Sequence, residues 1–122
     1  MLQLLVIGFG GLVGALARHG LAEAAQRGFP SAFPGGTLVV NLLGCLAIGV
    51  AMAVFERRVH VAEASRLLVL TGFLGSFTTF STFGWGSYAL LREGRVSLAL
   101  LNVGGHVLLG LAAVALGYEV AR

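Results

Sequence analysis

Polar and aromatic residues interrupt one long apolar stretch of the chain, in the segment GFLGSFTTFSTF at positions 72–83. Glycine and β-branched threonine are poor helix formers, and each glycine costs about 1 kcal/mol relative to alanine inside a helix. The segment therefore predicts a helix that breaks near residues 75–79. The carbonyl oxygens that such a break leaves unpaired can coordinate a small hard cation, as unwound helices do in membrane transporters.

Two phenylalanines follow the predicted break. Phe80 and Phe83 are three residues apart and share one helix face, with the hydroxyl side chains of Ser81 and Thr82 between them. A phenyl ring has a negative face and a positive edge, so ring edges and hydroxyls together favour a weakly polar path for a small anion. The alternative is that both rings only contact lipid or core.

Isolated polar side chains occur in the other apolar segments. Asn41 lies in the middle of GTLVVNLLG. Because polar groups inside a membrane are costly and face protein or water, its amide is either a link between helices or an anion donor. Arg18 ends the first apolar segment, as an interfacial anchor or as a cation that attracts anions to a vestibule. Asn102 and His106 are one turn apart and predict a packing or vestibule role, because no carboxylate accompanies them for a proton relay.

The composition indicates a membrane protein. Of the 122 residues, 57% are hydrophobic and 11% are charged, whereas soluble domains have about 25% charged residues. The mean hydropathy is +0.94. The pI of about 10.0 does not indicate a nucleic-acid binder, because the arginines flank apolar runs and do not cluster on one soluble face. The single cysteine, Cys45, excludes an intrachain disulfide and a cysteine-based metal site.

Four segments are long enough to cross a membrane, which takes about 20 apolar residues. They are residues 2–21, 37–55, 67–91 and 96–120, joined by short linkers into a single transmembrane domain, residues 1–122. The first segment lacks the positive start of a signal peptide and is interpreted as a retained span. In it, Gly10 and Gly14 have the spacing that lets two helix backbones approach closely. The predicted fold class is an all-α membrane protein with four transmembrane helices, the third of them broken.

The arginines give no preference for one orientation in the membrane. Loops rich in lysine and arginine stay on the cytoplasmic side, but this chain has no lysine and its eight arginines divide evenly between the two sides. One side has Arg57, Arg58, Arg66 and Arg122, and the other has Arg18, Arg27, Arg92 and Arg95. Such a chain can insert both ways, and two opposite copies can then pair as an antiparallel dimer. The alternative is a weak bias that the first helix decides.

Three motifs together resemble those of the CrcB/Fluc fluoride channels, over essentially the whole chain. They are G-x-x-G-x-x-T-T-F-S-T-F in the third span, GTL-x-V-N-x-x-G in the second and GA-x-x-R in the first. The resemblance implies a dual-topology antiparallel homodimer with two pores in the lipid bilayer of a bacterial plasma or inner membrane. It also implies a channel, not an enzyme, through which fluoride that entered as HF leaves the cytoplasm passively.

The resemblance also assigns roles to individual residues. It implies a structural sodium ion at the dimer centre, held by backbone oxygens of Gly75 and Thr78. It implies an anion pathway along five side chains: Asn41, Phe80, Phe83, Ser81 and Thr82. On the family pattern, Arg18 is expected at a vestibule.

The chain departs from the family pattern at three positions. Family members often have an acidic residue where this chain has Gly86, and hydroxyls in the fourth span where it has Gly110 and Val114. One consequence is a heterodimer in which a more complete paralogue supplies what this subunit lacks. A non-conducting or partly degenerate subunit is therefore one alternative function. A small multidrug-resistance-type exporter is another, although this chain has no glutamate well inside a span to exchange substrate and proton.

Overall fold

The computed structural model describes residues 1–58 and 60–122, and the regular structure within those ranges is helical. The chain forms five helices in those ranges, two of which make up the third span. They are α1 (Leu2–Gln26), α2 (Gly35–Arg57), α3 (63–77), α4 (Phe80–Arg92) and α5 (Val96–Ala121). Helices satisfy all their backbone hydrogen bonds internally, which is what a segment surrounded by hydrocarbon requires.

The outer surface of the helices is apolar. Across the described ranges, four helical stretches are long and apolar enough to cross a membrane, with α3 and α4 together forming one of them. Large side chains on the outer faces are more than half exposed, among them Leu5, Phe9, Leu16, Leu100 and Leu108. A continuous apolar surface of this extent fits lipid and not water. The chain is a multi-pass membrane protein, as its composition predicts.

Helix α1 packs against α3 with direct contact between the two backbones. A β-carbon at Gly14 would overlap the carbonyl oxygen of Phe73, and one at Gly10 would overlap that of Leu68. In lipid there is no hydrophobic driving force for helix association, so the dispersion contacts that close approach permits hold such a pair together. The contact surface predicted at Gly10 and Gly14 is confirmed, and its partner is the helix that precedes the break.

Helix α2 lies at the centre of the bundle and touches each of the other helices. Its closest partner is α5: Gly49 lies against the carbonyl of Val114, and Gly117 lies against the carbonyl of Leu46. This central position places the middle of α2 beside the interruption of the third span.

Hydrogen bonds between neighbouring elements mark the two ends of the bundle. At one end, Arg57 donates to the carbonyl oxygen of Ala121 at 3.2 Å. At the opposite end, Gln26 donates to the carbonyl oxygen of Phe33 at 2.9 Å. Because successive spans run between these ends, seven of the eight arginines lie near the two ends, four at the first and three at the second, whereas Arg18 lies two turns inside α1, which extends to Gln26.

Two stretches have wider turns than an α-helix. Leu67–Leu74 in α3 and Gly105–Leu109 in α5 are π-helical, and the N–H of Gly75 reaches back to the carbonyl of Leu70. Turns of this kind are rare and often occur at functional sites. The first directly precedes the break, and the second carries His106.

We expect Gly14→Ala to destabilise the folded protein, because the new methyl group would overlap the carbonyl of Phe73. Overpacking of this kind costs about 1–3 kcal/mol, which thermal unfolding in detergent would detect as a lower midpoint. Gly8→Ala in the same helix is the matched control, since nothing lies within 4 Å of the methyl group it adds. A midpoint that Gly14→Ala leaves unchanged would contradict the backbone contact between α1 and α3.

Candidate functional site

The third span is interrupted at two threonines, as the sequence predicts. Helix α3 ends at Phe77, and the next two residues are extended: Thr78 has φ −84° and ψ 157°, and Thr79 has φ −148° and ψ 113°. Helix α4 begins at Phe80, and the hydroxyl of Thr79 accepts the N–H of Thr82 at 3.4 Å. Threonine suits this position because β-branching favours extended backbone and its hydroxyl can cap a helix N-terminus.

The amide of Asn41 holds the extended segment in place. Its Oδ1 accepts the N–H of Thr79 at 2.8 Å, and its Nδ2 donates to the carbonyl oxygen of Thr79 at 3.1 Å. In a continuous helix that N–H would bond to the carbonyl of Gly75. Asn41 thus links α2 to the break, which is the first of the two roles its position predicts. One Nδ2 hydrogen has no acceptor among the described residues and remains available to a ligand.

The break also leaves carbonyl oxygens without hydrogen bonds. The carbonyl of Leu74 accepts both the N–H and the hydroxyl of Thr78, at 3.1 and 3.0 Å. Within residues 1–58 and 60–122, the carbonyls of Gly75 and Thr78 accept none. Unpaired backbone oxygens are the ligands that alkali cations take in unwound membrane helices. In the same ranges, no group of three histidine, cysteine or acidic side chains could hold a metal ion.

Three rings form one aromatic face beside the break, which we define as Phe80, Phe83 and His106. The ring centroids of Phe80 and Phe83 are 5.3 Å apart with the planes tilted by 55°. Those of Phe83 and His106 are 4.3 Å apart with a tilt of 42°. Tilted rings present edges as well as faces, and the edges carry the positive part of the quadrupole. The aromatic face can therefore contact a small anion without a charged group.

The break and the aromatic face border one cavity of about 430 Å³. Most of the predicted site residues line it: Asn41, Gly75, Thr78, Phe80 and Phe83. No arginine or glutamate is among the described residues that line this cavity. A neutral lining with few polar groups binds an ion weakly, and weak binding permits release as well as entry.

Ser81, Thr82 and Arg18 do not line the cavity. The hydroxyls of Ser81 and Thr82 are exposed, and they lie 3.4 and 3.1 Å from the hydroxyl of Thr79, which does line it. Arg18 is half-buried on α1, one turn before Ala22, and Ala22 lines a second cavity of about 610 Å³. The structure thus connects the two hydroxyls to the site through Thr79 and leaves Arg18 apart from it.

Two of the positions that depart from the family pattern lie against another residue of the bundle. A β-carbon at Gly86 would lie 3.2 Å from Cγ of Pro34, so an acidic side chain there would require Pro34 to shift. A β-carbon at Gly110 would lie 3.5 Å from Sγ of Cys45, and that thiol lines the cavity. The position where relatives often carry a hydroxyl is therefore adjacent to a weakly polar sulfur in this chain.

Two residues make contacts at or near the site that their sequence context does not indicate. His106, for which the sequence predicts packing or a vestibule, lines the cavity and contacts the ring of Phe83. Ser87 belongs to none of the sequence motifs, although its hydroxyl accepts a hydrogen bond from Nδ2 of Asn102 at 2.9 Å. The signal was its position four residues after Phe83, one turn further along the same helix.

The chain matches a known family along almost its whole length. The family model described as CrcB-like protein, Camphor Resistance (CrcB), matches residues 5–118. The chain belongs to the CrcB family. This confirms the resemblance that the motifs of the first three spans indicate.

Curated CrcB relatives named fluoride-specific ion channel FluC align over nearly the full chain. The relative from Nitratidesulfovibrio vulgaris is 45% identical over 122 residues, which are 100% of this chain and 98% of that protein. The relative from Solibacter usitatus is 46% identical over 121 residues, 99% of each chain. The relative from Salinibacter ruber is 47% identical over 117 residues, 96% of this chain and 87% of that one.

In this CrcB chain we expect Asn41→Ala to leave the N–H and the carbonyl of Thr79 without partners. An unsatisfied buried polar group costs about 1–3 kcal/mol, so the midpoint of thermal unfolding should fall. Leu43→Ala in the same helix is the control, because the side chain of Leu43 is exposed on the outer face. Equal midpoints for the two variants would show that the amide does not stabilise the break.

Proposed function

We propose that this chain forms a passive, fluoride-selective channel through which fluoride leaves the cytoplasm. The observation that carries the proposal is the neutral cavity, in which the rings of Phe80 and Phe83 lie beside the amide of Asn41 and the hydroxyl of Thr79. The printed names of the relatives, fluoride-specific ion channel, support the same ion. The protein moves an ion and converts no substrate, so it is not an enzyme.

Selective passage requires protein groups that replace part of the hydration shell of the ion. Around this cavity the donors are ring edges, hydroxyls and the remaining amide hydrogen of Asn41. Since no described arginine lines the cavity, no guanidinium group there would hold the anion tightly. Fluoride that enters the cell as HF in acid surroundings dissociates inside, so the gradient drives passive flow outward.

We propose that a second, inverted copy of the chain completes the cavity. Phe80 is 83% exposed and Gly75 is also exposed, so one side of the cavity is open in the single chain. The even division of arginines favours insertion in both orientations. A two-fold axis in the membrane plane would set the same surface of two copies face to face, giving an antiparallel homodimer with two pores. A paralogue as partner is the alternative, because Gly86 and Gly110 depart from the family pattern.

We also propose a structural sodium ion at the centre of this dimer. Its ligands would be the carbonyl oxygens of Gly75 and Thr78 from both copies, which accept no hydrogen bond within the described ranges. Both residues line the cavity and Gly75 is exposed, which supports a site shared between two chains. When bound, a sodium ion neutralises the partial negative charge of these oxygens and links the two broken helices.

A proton-coupled exporter of aromatic cations is the alternative from another class. Such an exporter needs a carboxylate inside the membrane that binds substrate and proton in turn. Glu56, Glu63 and Glu93 lie at the ends of helices, and none of the glutamates lines the described cavity. The neutral cavity therefore favours a channel.

We expect liposomes that contain the purified protein to release fluoride and to retain chloride, measured with ion-selective electrodes. Phe80→Ile should abolish fluoride release, because it removes an exposed ring edge from the cavity without inserting a charge. Phe9→Ile is the matched control, since Phe9 is exposed on the outer face of α1 and does not line the cavity.

Other outcomes of the same assay separate the alternatives. Chloride release as fast as fluoride release would refute selectivity. A protein that passes no fluoride alone but does so when co-expressed with a paralogue would be a subunit of a heterodimer. Proton-driven uptake of an aromatic cation into vesicles would support the exporter hypothesis instead of the channel.

We expect the protein to lose stability when sodium is replaced by the bulky cation N-methylglucamine during purification. The carbonyls of Gly75 and Thr78 would then face one another without a cation between them. The readouts are the midpoint of thermal unfolding and the mass in detergent from light scattering. If the unfolding midpoint and the dimer mass were identical in both solutions, the proposal of a sodium site would be contradicted, whatever the fluoride flux.

A further inference from the structure

A closed cycle of contacts joins α4 to α5 behind the aromatic face. Nδ2 of Asn102 donates to Oγ of Ser87 at 2.9 Å, and that hydroxyl donates to the carbonyl oxygen of Phe83 at 2.9 Å. The ring of Phe83 contacts His106, with the centroids 4.3 Å apart. Nδ1 of His106 then returns to the carbonyl oxygen of Asn102 at 2.8 Å. We call these residues, Phe83, Ser87, Asn102 and His106, the polar cycle.

The direction of each hydrogen bond in the polar cycle is determined by chemistry. The carbonyl of Phe83 can only accept, so Ser87 donates to it and accepts from the amide nitrogen of Asn102. The carbonyl of Asn102 likewise can only accept, so Nδ1 of His106 carries a proton. In the neutral imidazole, Nε2 is then an acceptor. It has no partner within the described residues, and neither has Oδ1 of Asn102.

These directions indicate that Ser87 and Asn102 position the aromatic face and do not themselves bind the anion. Both atoms that remain without partners are acceptors, and an acceptor repels an anion. Asn102 is 0% exposed and Ser87 is 9% exposed, so neither side chain faces the open side of the cavity. The hydrogen bonds that Ser87 makes to Asn102 and to the carbonyl of Phe83 restrain the backbone of Phe83 relative to α5, and His106 contacts its ring.

We propose that Asn102 and Ser87 are positioning residues that fix the ring of Phe83 against His106 and thereby set the ion selectivity of the aromatic face. The inference rests on the proposed function, in which Phe83 borders the fluoride path. Without the link between Asn102 and Ser87, α4 can rotate or slide relative to α5. The distance between the rings of Phe80, Phe83 and His106 would then vary, and a larger anion would pass.

The test compares variants of the full-length protein in liposomes by the ratio of fluoride to chloride release. Ser87→Ala and Asn102→Leu should each lower this ratio about tenfold, as expected when a buried hydrogen-bond partner is lost. Ser87→Thr keeps the hydroxyl and should restore the ratio. The double variant Ser87→Ala/Asn102→Leu should be no worse than either single variant, because both single changes remove the same link.

The matched control is Leu90→Ala, which removes a side chain that is 3% exposed on the same helix but lies outside the polar cycle. Its loss of packing should lower the thermal midpoint and leave the selectivity ratio unchanged. The proposal is overturned if Ser87→Ala conducts with the original ratio. It is equally overturned if Leu90→Ala lowers the ratio as much as Ser87→Ala does, because the effect would then be general destabilisation.

A second readout keeps this inference separate from the proposed function. Phe83 is replaced by 4-fluorophenylalanine, and the ¹⁹F NMR signal of the ring is recorded with and without Ser87→Ala and Leu90→Ala. The signal should shift or broaden with Ser87→Ala only. If the parent protein releases no fluoride, the proposed function fails while this signal still tests the positioning. An unchanged signal in Ser87→Ala would overturn the positioning even in a protein that conducts.

Discussion

The two hydrogen bonds between Asn41 and Thr79 are the interaction on which the rest of the site depends. Two extended residues inside a membrane helix leave N–H and carbonyl groups without partners, and hydrocarbon provides none. The amide of Asn41 supplies a donor and an acceptor in one group, at 3.1 and 2.8 Å. It thereby stabilises an interruption that glycine and threonine only permit, and it keeps the carbonyl of Gly75 unpaired.

The break also needs support from the helices around it. On one side, α1 contacts α3 backbone to backbone at Gly10 and Gly14, just before the interruption. On the other side, the polar cycle fixes α4 to α5 through Ser87 and Asn102, just after it. The two halves of the third span are therefore held by different neighbours, with Asn41 on the central helix α2 between them. Small residues allow the dispersion contacts of the first pair, and hydrogen bonds join the second pair. Dispersion and hydrogen bonding are the forces that hold helices together in lipid.

The character of the cavity follows from this arrangement. A broken helix would be expected to expose polar backbone, but here the carbonyl of Leu74 accepts the N–H of Thr78, and the amide of Asn41 bonds to both the N–H and the carbonyl of Thr79. What remains around the cavity is neutral: ring edges, hydroxyls, an amide hydrogen and the carbonyls of Gly75 and Thr78. Neutral groups bind an anion less strongly than an arginine would and so permit rapid release. Different parts of this one site therefore suit ions of opposite charge. The carbonyl oxygens suit a cation, whereas the ring edges and hydrogen-bond donors suit an anion.

The sequence by itself determined the membrane class, the four spans, the break near residues 75–79, the even division of arginines and the family. These follow from local properties, namely hydropathy, helix propensity and motif spacing, which each segment carries wherever it packs. Only the tertiary structure decided that Asn41 bonds to Thr79, 38 residues further along the chain. It also decided that Ser87 bonds to Asn102 and that Arg18 lies apart from the cavity. Such pairings depend on how the helices rotate and approach one another. Glycine contacts between distant segments determine that geometry, so no single segment encodes it.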